Sequence, residues 1–290
     1  MKIARFETGG REFYGIVGEG GLVPSAKFEG DLPEDLFELF TSEVMMNSAF
    51  RRALEARVPT AGQAVPLSRV KLLSPIPRPG KIVCLGRNYL EHIAESSSRR
   101  PEGLMIFLKP STAVAGPFDD IPYPSLTRSL DYEGELGVVI GKRCKKVDSS
   151  AAMECVLGYL VFNDVSARDL QFGDGQWTRG KGCDGFAPMG PWVTTLDEVR
   201  NPLSLRLKTW VNGEVRQEAI TSSMIRNVPE VVSMLSQGMT LEAGDVIATG
   251  TPAGVGYYWK PEPRMLKPGD TVRIEIEDLG HIENRIVAEA

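Results

Sequence analysis

The chain has 290 residues, 42% hydrophobic and 24% charged, which is ordinary for a globular protein and more than one average domain requires. Its net charge is -5 and its basic residues are scattered, so no electrostatic footprint for nucleic acid or an anionic membrane is present. No apolar run approaches the ~20 residues of a membrane span, and Met1 to Glu7 lack the apolar stretch of a signal peptide, so small solutes are the expected partners and the cytoplasm the expected compartment.

In chain order, residues 2–7 read as a short strand. A hairpin follows, from Glu12 to Val17 through Glu19-Gly20-Gly21 to Leu22-Val23. Residues 32–40 read as a helix with Pro33 in its first turn, and Asn47 as the cap of a second helix over residues 48–55. Ser74-Pro75-Ile76-Pro77-Arg78-Pro79-Gly80 can continue neither helix nor sheet, so a boundary is expected there. It separates a small N-terminal domain, 1–73, from a larger one, 74–290.

Beyond it, Val-, Ile- and Leu-rich runs broken by Gly and Pro predict strands over 82–85, 104–108, 136–140, 157–162, 204–211, 246–249 and 271–276. Helical patterning is limited mainly to 150–156 and 228–237, the latter with Asn227 as its candidate cap. Without regular strand and helix alternation, a strand-rich α+β fold with a mixed sheet or roll is expected rather than a doubly wound one. The cysteines, Cys84, Cys144, Cys155 and Cys183, form no Cys-x-x-Cys pair and are expected to be reduced and mostly buried.

With only two histidines, His92 and His281, a metal site must draw chiefly on oxygen ligands. Glu133 and Glu135, two apart on a strand, share a face. An isolated Glu-x-Glu is ordinarily a solvated edge strand, but here Val138-Val139-Ile140 is apolar on both faces. Two unpaired carboxylates beside such a strand would be costly to bury without a cation. Asp164 ends another apolar run, Gly158 to Asn163. Three carboxylates with open positions for water suit a hard divalent ion, Mg²⁺ or Mn²⁺.

Eight motifs in order carry a wider likeness. They are Gly86-Arg87-Asn88-Tyr89-x-x-His92-x-x-Glu95, Phe107-Leu108-Lys109-Pro110, Asp131-Tyr132-Glu133-x-Glu135-Leu136 and Asn163-Asp164-Val165-Ser166-Ala167-Arg168-Asp169, then Trp177-x-x-x-Lys181, Ala187 to Trp192, Val211 to Glu214 and Gly250-Thr251-Pro252-Ala253-Gly254-Val255-Gly256. Together they resemble the fumarylacetoacetate hydrolase family, acylpyruvase and oxaloacetate decarboxylase-like members in particular. The resemblance implies that family's mixed β-sandwich roll, a homodimer, and Mg²⁺ at Glu133, Glu135 and Asp164. Departures are Gly182 where the family often has serine after the site lysine, the following Cys183, and Ser166 in place of the commoner threonine.

The chemistry follows from what such an ion does to a 2-oxo acid. The carboxylate and adjacent ketone chelate it, and an enolate developing on that ketone is stabilised by the Lewis acid. Water attacking the distal carbonyl of a 2,4-dioxo acid, of the acylpyruvate or fumarylpyruvate type, then breaks the carbon–carbon bond. His92 and Glu95, three apart on a helical turn, supply the base and its orienter, although His-x-x-Glu alone is more often an exposed polar face. The polar segment 96–101 is expected to be a mobile lid over the site.

Lys181 is expected to hold a substrate oxygen or to stabilise the developing oxyanion, Arg87 and Gln171 to contact substrate polar groups, and, by the resemblance, Thr251 to bind the substrate carboxylate. A lone lysine is ordinarily solvated, Arg87 could serve a structural ion pair, and the 250–256 loop, without P-loop lysine spacing, could be a tight turn. Oxaloacetate decarboxylation or tautomerisation, or 2-hydroxyhepta-2,4-diene-1,7-dioate isomerisation, would use the same enolate. A metal-stabilised binding module without turnover is the reading of another class, and a binding module has no need of a base.

Overall fold

The computed structural model describes residues 1–28, 30, 32–58, 64–199, 201 and 203–289. Strand β1 (Lys2–Thr8) buries Ile3, Ala4 and Phe6, pairs with β2 (Arg11–Gly18), and β2 turns back into β3 (Gly21–Pro24). Helix α1 (Leu36–Thr41) begins later than Pro33: Asp35 is its cap, accepting from the Phe37 and Glu38 N–H groups. Asn47 caps α2 (Ser48–Arg57) in the same way, and β4 (Lys71–Leu73) returns to pair with β1.

The rest of the chain runs β5 (Ile82–Gly86), α3 (Leu90–Glu95), β6 (Met105–Lys109), β7 (Val114–Ala115), β8 (Ile121–Tyr123), β9 (Leu130–Asp131) and β10 (Gly134–Ile140). Then come β11 (Val156–Asn163), β12 (Ser166–Ala167), α4 (Arg168–Gly173), α5 (Thr178–Lys181), β13 (Ala187–Thr195), β14 (Arg206–Val211) and β15 (Glu214–Ile220). The last elements are α6 (Val228–Gly238), β16 (Val246–Ala248), β17 (Thr271–Ile276) and β18 (Gly280–Ala288). Asn227 and Glu230 form a reciprocal capping box on α6.

One sequence expectation is corrected here, and one strand was not anticipated. Residues 150–156 form only a short 3-10 turn, Ala152–Cys155, because Val156 already opens β11 and is buried in the sheet. Residues 187–195 form a nine-residue strand despite Pro188 and Pro191. The register against β11 shifts between Tyr159 and Val161, opposite Pro191, and such a bulge is where a strand tolerates proline.

One sheet has the order β3-β2-β1-β13-β11-β10-β16-β5-β6, with β4 on β1 and β7 on β13. It is mixed, since β16 and β5 run parallel while β10 is antiparallel to both its neighbours. Through the pairing of Lys2 with Thr194 it continues across the segment 74–80. A second sheet, β15-β14-β17-β18-β8, packs on it, with β10, β11 and β13 facing β14, β17 and β18. Every residue of β10 and β11 is buried, as strands covered on both faces require. The result is a strand-rich α+β fold of mixed sheets. Among the described residues no helix is long and apolar enough to cross a membrane.

Candidate active site and metal centre

Strand register brings the acids together. Gly134 pairs with Asn163, so Glu133 and Asp164 meet just beyond the end of the β10–β11 ladder, where the Asp164 N–H donates to the Glu133 carbonyl at 2.9 Å. The Asn163 side chain accepts from the Glu133 N–H at 3.1 Å. Oxygens of Glu133, Glu135 and Asp164 lie within 4.8 Å of one another, and all three side chains are buried. Because β10 lies inside the sheet, the solvated-edge explanation of Glu-x-Glu does not hold.

Three cations serve this cluster. Lys181, at the end of α5, donates from Nζ to Glu133 Oε2 at 2.6 Å and Asp164 Oδ2 at 2.7 Å. Lys109 Nζ lies 2.6 Å from Asp164 Oδ1 and donates to the carbonyls of Val165, Phe186 and Lys181. Arg168 reaches Glu133 Oε1 with Nη1 at 2.6 Å and Asp131 Oδ2 with Nη2 at 2.8 Å. Asp131 is saturated, since it also accepts from the N–H groups of Tyr132, Gly256 and Tyr257.

Glu135 stands apart from its neighbours. Its Oε2 accepts from the Gly250 N–H at 2.7 Å, but its buried Oε1 has no hydrogen-bond partner among the described residues. Burial, reinforced by the Asp164 and Glu133 charges, pushes its pKa well above the carboxylate range. Glu133 behaves oppositely. Burial opposes its ionisation, yet Lys181 and Arg168 outweigh burial and hold its carboxyl well below that range. Burial also raises Asp164, against Lys109 and Lys181. An orphaned carboxylate oxygen beside two further carboxylates is a donor set that fits a hard cation.

His92 lies in the last turn of α3, where its Nδ1 is 2.7 Å from Glu95 Oε1. Glu95 Oε2 in turn accepts from the Gly254 N–H at 2.9 Å. With Nδ1 engaged, Nε2 is the nitrogen left for chemistry. The loop 250–256 therefore positions both Glu135 and Glu95, and its glycines are needed for backbone reasons. Gly250 and Gly254 have φ values of +95° and +106°, and a Cβ at Gly254 would lie 2.0 Å from the Arg216 carbonyl. Such conformations favour glycine.

Helix α3 closes with a Schellman pattern, Ser98 N–H to the Ile93 carbonyl at 3.1 Å and Ser97 N–H to the Ala94 carbonyl at 3.2 Å, with Ser97 left-handed. Ser96 and Ser98, from the segment expected to form a lid, line the pocket with His92, Glu133 and Lys181. Gln171 lines it too, its Oε1 accepting from Arg168 at 3.0 Å while its amide NH₂ has no partner among the described residues. Thr251 also borders the pocket, but its hydroxyl donates to the Gly134 carbonyl at 3.0 Å and accepts from Gln217 at 2.8 Å. Its hydroxyl proton is therefore already committed. Arg87 borders the pocket with no hydrogen bond or ion pair to a described residue.

The sequence reading missed the roles of Lys109, Asp131, Arg168 and Gln217. The first three stood inside quoted motifs, and a lysine ending an apolar run, as Lys109 does, is the signal that could have found one of them.

Residues 81–287 match the family described as fumarylacetoacetate (FAA) hydrolase C-terminal, and residues 1–75 match Rv2993c-like, N-terminal. The chain belongs to the fumarylacetoacetate hydrolase family. It is 43% identical over 270 residues to the mitochondrial oxaloacetate tautomerase FAHD2A of Bos taurus, covering 92% of this chain and 84% of that one. Among solved structures it is similar to fumarylacetoacetate hydrolase from psychrophilic Exiguobacterium antarcticum, with TM-score 0.87, 38% identity and 100% of each chain covered. It is also similar to maleylpyruvate hydrolase from Sphingobium sp. SYK-6 in complex with manganese (II) ion and pyruvate, with TM-score 0.82, 32% identity and 100% of each chain covered. Members of the family named in these comparisons are hydrolases, isomerases and tautomerases.

Proposed function

We propose that the protein is a divalent-metal-dependent hydrolase that cleaves a carbon–carbon bond in a 2,4-dioxo acid of the acylpyruvate or fumarylpyruvate type. The observation that carries this reading is the His92–Glu95 pair, fixed by Gly254, with His92 lining the same pocket as Glu133 of the three-carboxylate cluster. A binding module would have no use for an oriented base.

Glu133, Glu135 and Asp164 would hold Mg²⁺ or Mn²⁺, and the partnerless Glu135 Oε1 supports that assignment. Such an ion, when bound, supplies a Lewis acid for the carboxylate and ketone oxygens of a 2-oxo acid. Glu95 orients the imidazole by accepting at Nδ1, so that His92 takes a proton from water at Nε2. Lys181, clamped by Glu133 and Asp164, places a fixed positive charge where negative charge develops on the substrate. The free amide of Gln171 and the backbone N–H of Thr251 are donors for substrate oxygens. Ser96 and Ser98 close over the bound acid and exclude water that His92 does not hold. We place the protein in the cytoplasm as a homodimer, a reducing setting that suits its free cysteines.

A second reading is keto–enol tautomerisation of oxaloacetate, favoured by the bovine relative. There His92 would shuttle a proton on and off the substrate carbon and no water would attack. A panel of 2,4-dioxo acids and oxaloacetate, assayed with the metal-replete wild type and His92→Ala, separates the two. Hydrolysis should fall about 10²- to 10⁴-fold in the variant, the range that a general base supplies. Full hydrolytic activity without His92 would remove the dyad from the mechanism, and tautomerisation with no hydrolysis in the wild type would favour the second reading.

A further inference from the structure

Tyr132 stands between Asp131 and Glu133 and is fully buried. Phenylalanine would fill the same space, yet here the hydroxyl is used. It donates to the Gly254 carbonyl at 2.8 Å, and no other hydrogen bond reaches that carbonyl among the described residues. Asp131 grips the same loop further on, accepting from the Gly256 N–H at 2.8 Å and the Tyr257 N–H at 3.0 Å. Two consecutive side chains therefore hold the loop at residues 254, 256 and 257.

The N–H of Gly254 serves the dyad. It donates to Glu95 Oε2 at 2.9 Å, while Glu95 Oε1 lies 2.7 Å from His92 Nδ1. A peptide N–H is aimed only as well as its residue is fixed, and a glycine is the residue least able to fix itself. The φ of Gly254 is +106°, and the Arg216 carbonyl, 2.0 Å from where a Cβ would lie, excludes any side chain that could restrict it. The Tyr132 hydroxyl supplies the restraint from outside. A continuous path of hydrogen bonds thus leads from the residue next to Glu133, through Gly254 and Glu95, to the imidazole of His92.

We infer that Tyr132 is a positioning residue for the base: its hydroxyl fixes Gly254, Gly254 holds Glu95, and Glu95 keeps His92 in the tautomer with a proton on Nδ1 and a lone pair on Nε2. Its part in turnover rests on the reading of His92 as a base; its hold on the imidazole does not. The competing explanation is a hydroxyl that satisfies only itself and its acceptor. The two differ in what reaches His92. Removing a hydroxyl of purely local use lowers stability and leaves the imidazole as it was, whereas removing the positioning bond lets Glu95 part from Nδ1 and allows both tautomers.

His92 and His281 are the only histidines, so nitrogen NMR of the imidazole-labelled full chain with saturating Mg²⁺ resolves both, with His92→Gln as the assignment control. At about pH 9, where free imidazole is neutral, wild-type His92 should show a protonated Nδ1 and a bare Nε2. In Tyr132→Phe its two nitrogen signals should move toward each other as the tautomers mix, while His281 keeps its wild-type signals. Turnover of acetylpyruvate or oxaloacetate should fall roughly 3- to 10-fold in kcat, the worth of one neutral hydrogen bond, with KM within about twofold. In a His92→Ala background the same substitution should cost less than about twofold, because no imidazole is left to aim. An unchanged His92 spectrum in Tyr132→Phe, or an equal kcat loss with and without His92, would overturn the positioning role. Full turnover by His92→Ala, or no turnover of either compound by the wild type, counts against the reading of the site and not against Tyr132, which the spectrum then decides alone. If Tyr132→Phe does not fold, Tyr132→Met, which also lacks the hydroxyl and fills the space flexibly, gives the same comparison.

Discussion

Replacing Lys109 with methionine tests whether the buried charge network, and not apolar packing alone, holds the floor of the pocket. Lys109 is 2% exposed, and its Nζ meets Asp164 Oδ1 at 2.6 Å, the Phe186 carbonyl at 2.8 Å and the Val165 carbonyl at 3.0 Å, with the Lys181 carbonyl also in contact. Methionine keeps the length of the side chain and deletes its charge, so lost volume contributes little. Breaking a buried ion pair by removing one partner costs about 3–5 kcal/mol. Buried acceptors left without a donor cost about 1–3 kcal/mol each, overlapping with that figure, so a total of about 4–6 kcal/mol is expected. At roughly 2–4 °C per kcal/mol for a chain of this size, the melting temperature should fall by roughly 10–20 °C. The assay is equilibrium urea unfolding with chelator present, followed by tryptophan fluorescence. In the double variant with Asp164→Asn the uncompensated carboxylate is gone, so the combined loss should fall short of the sum of the two single losses by about 1–3 kcal/mol. A Lys109→Met loss under about 1 kcal/mol, or strict additivity in the cycle, would refute the electrostatic account.

Two further outcomes are expected. Because burial and its carboxylate neighbours already drive Glu135 toward its protonated form, Glu135→Gln should leave stability in chelator within about 1 kcal/mol of wild type. The same variant should lose the thermal stabilisation that saturating Mg²⁺ or Mn²⁺ gives the wild type, about 2.7 kcal/mol at a hundredfold excess over Kd; a preserved shift would place the ion elsewhere. In a thiol-reagent titration at pH 8, Cys183 alone should react in the folded protein, and slowly, since burial raises its thiol. Burial, helped by the adjacent Cys155, pushes Cys144 up to about 12, and burial in the sheet also raises Cys84 well above an ordinary thiol. Rapid reaction of two or more thiols would show that the core around Cys84, Cys144 and Cys155 opens in solution.

Much of the fold was legible because burial imposes period and composition. The runs that became β5, β10, β11 and β17 are apolar on one or both faces, and Asn47 and Asn227 cap their helices through side-chain oxygens, a local effect. The strand Ala187–Thr195 was not legible, since its prolines signal a loop unless a partner strand with a bulge is already known. Helical patterning over 150–156 failed for the complementary reason: tertiary pairing of Val156 in β11 overrode local preference. At the site, Glu133, Glu135 and Asp164 could be brought together by alternation and strand ends. The partners that neutralise them could not. Lys109 and Arg168 reach the acids from β6 and from the start of α4, over a spacing that only the three-dimensional fold sets. The committed hydroxyl of Thr251 was equally invisible, because its partners are the Gly134 carbonyl on β10 and the Gln217 amide from the second sheet.

The charge inventory indicates where selectivity must reside. The inner cluster holds four buried carboxylates, Asp131, Glu133, Glu135 and Asp164, against three buried cations, Lys109, Arg168 and Lys181. The acid without an ion pair among the described residues is Glu135, whose Oε1 also has no hydrogen-bond partner there, whereas Asp164 Oδ1 has the Lys109 ammonium beside it. On the proposed reading, a bound cation would hold Glu135 ionised and would take the carboxylate and ketone shared by every 2-oxo acid, so the cluster would not distinguish one such acid from another. On that reading, discrimination between hydrolysis and proton shuttling would come from how His92 holds water, and discrimination between tails from the outer lining of the pocket, Arg87 included. Substitutions in the inner cluster should therefore lower activity on all 2-oxo acids together. Those at His92 or Arg87 should instead change their rank order, and a rank order that moved with Lys181 but not with His92 or Arg87 would contradict this division of labour.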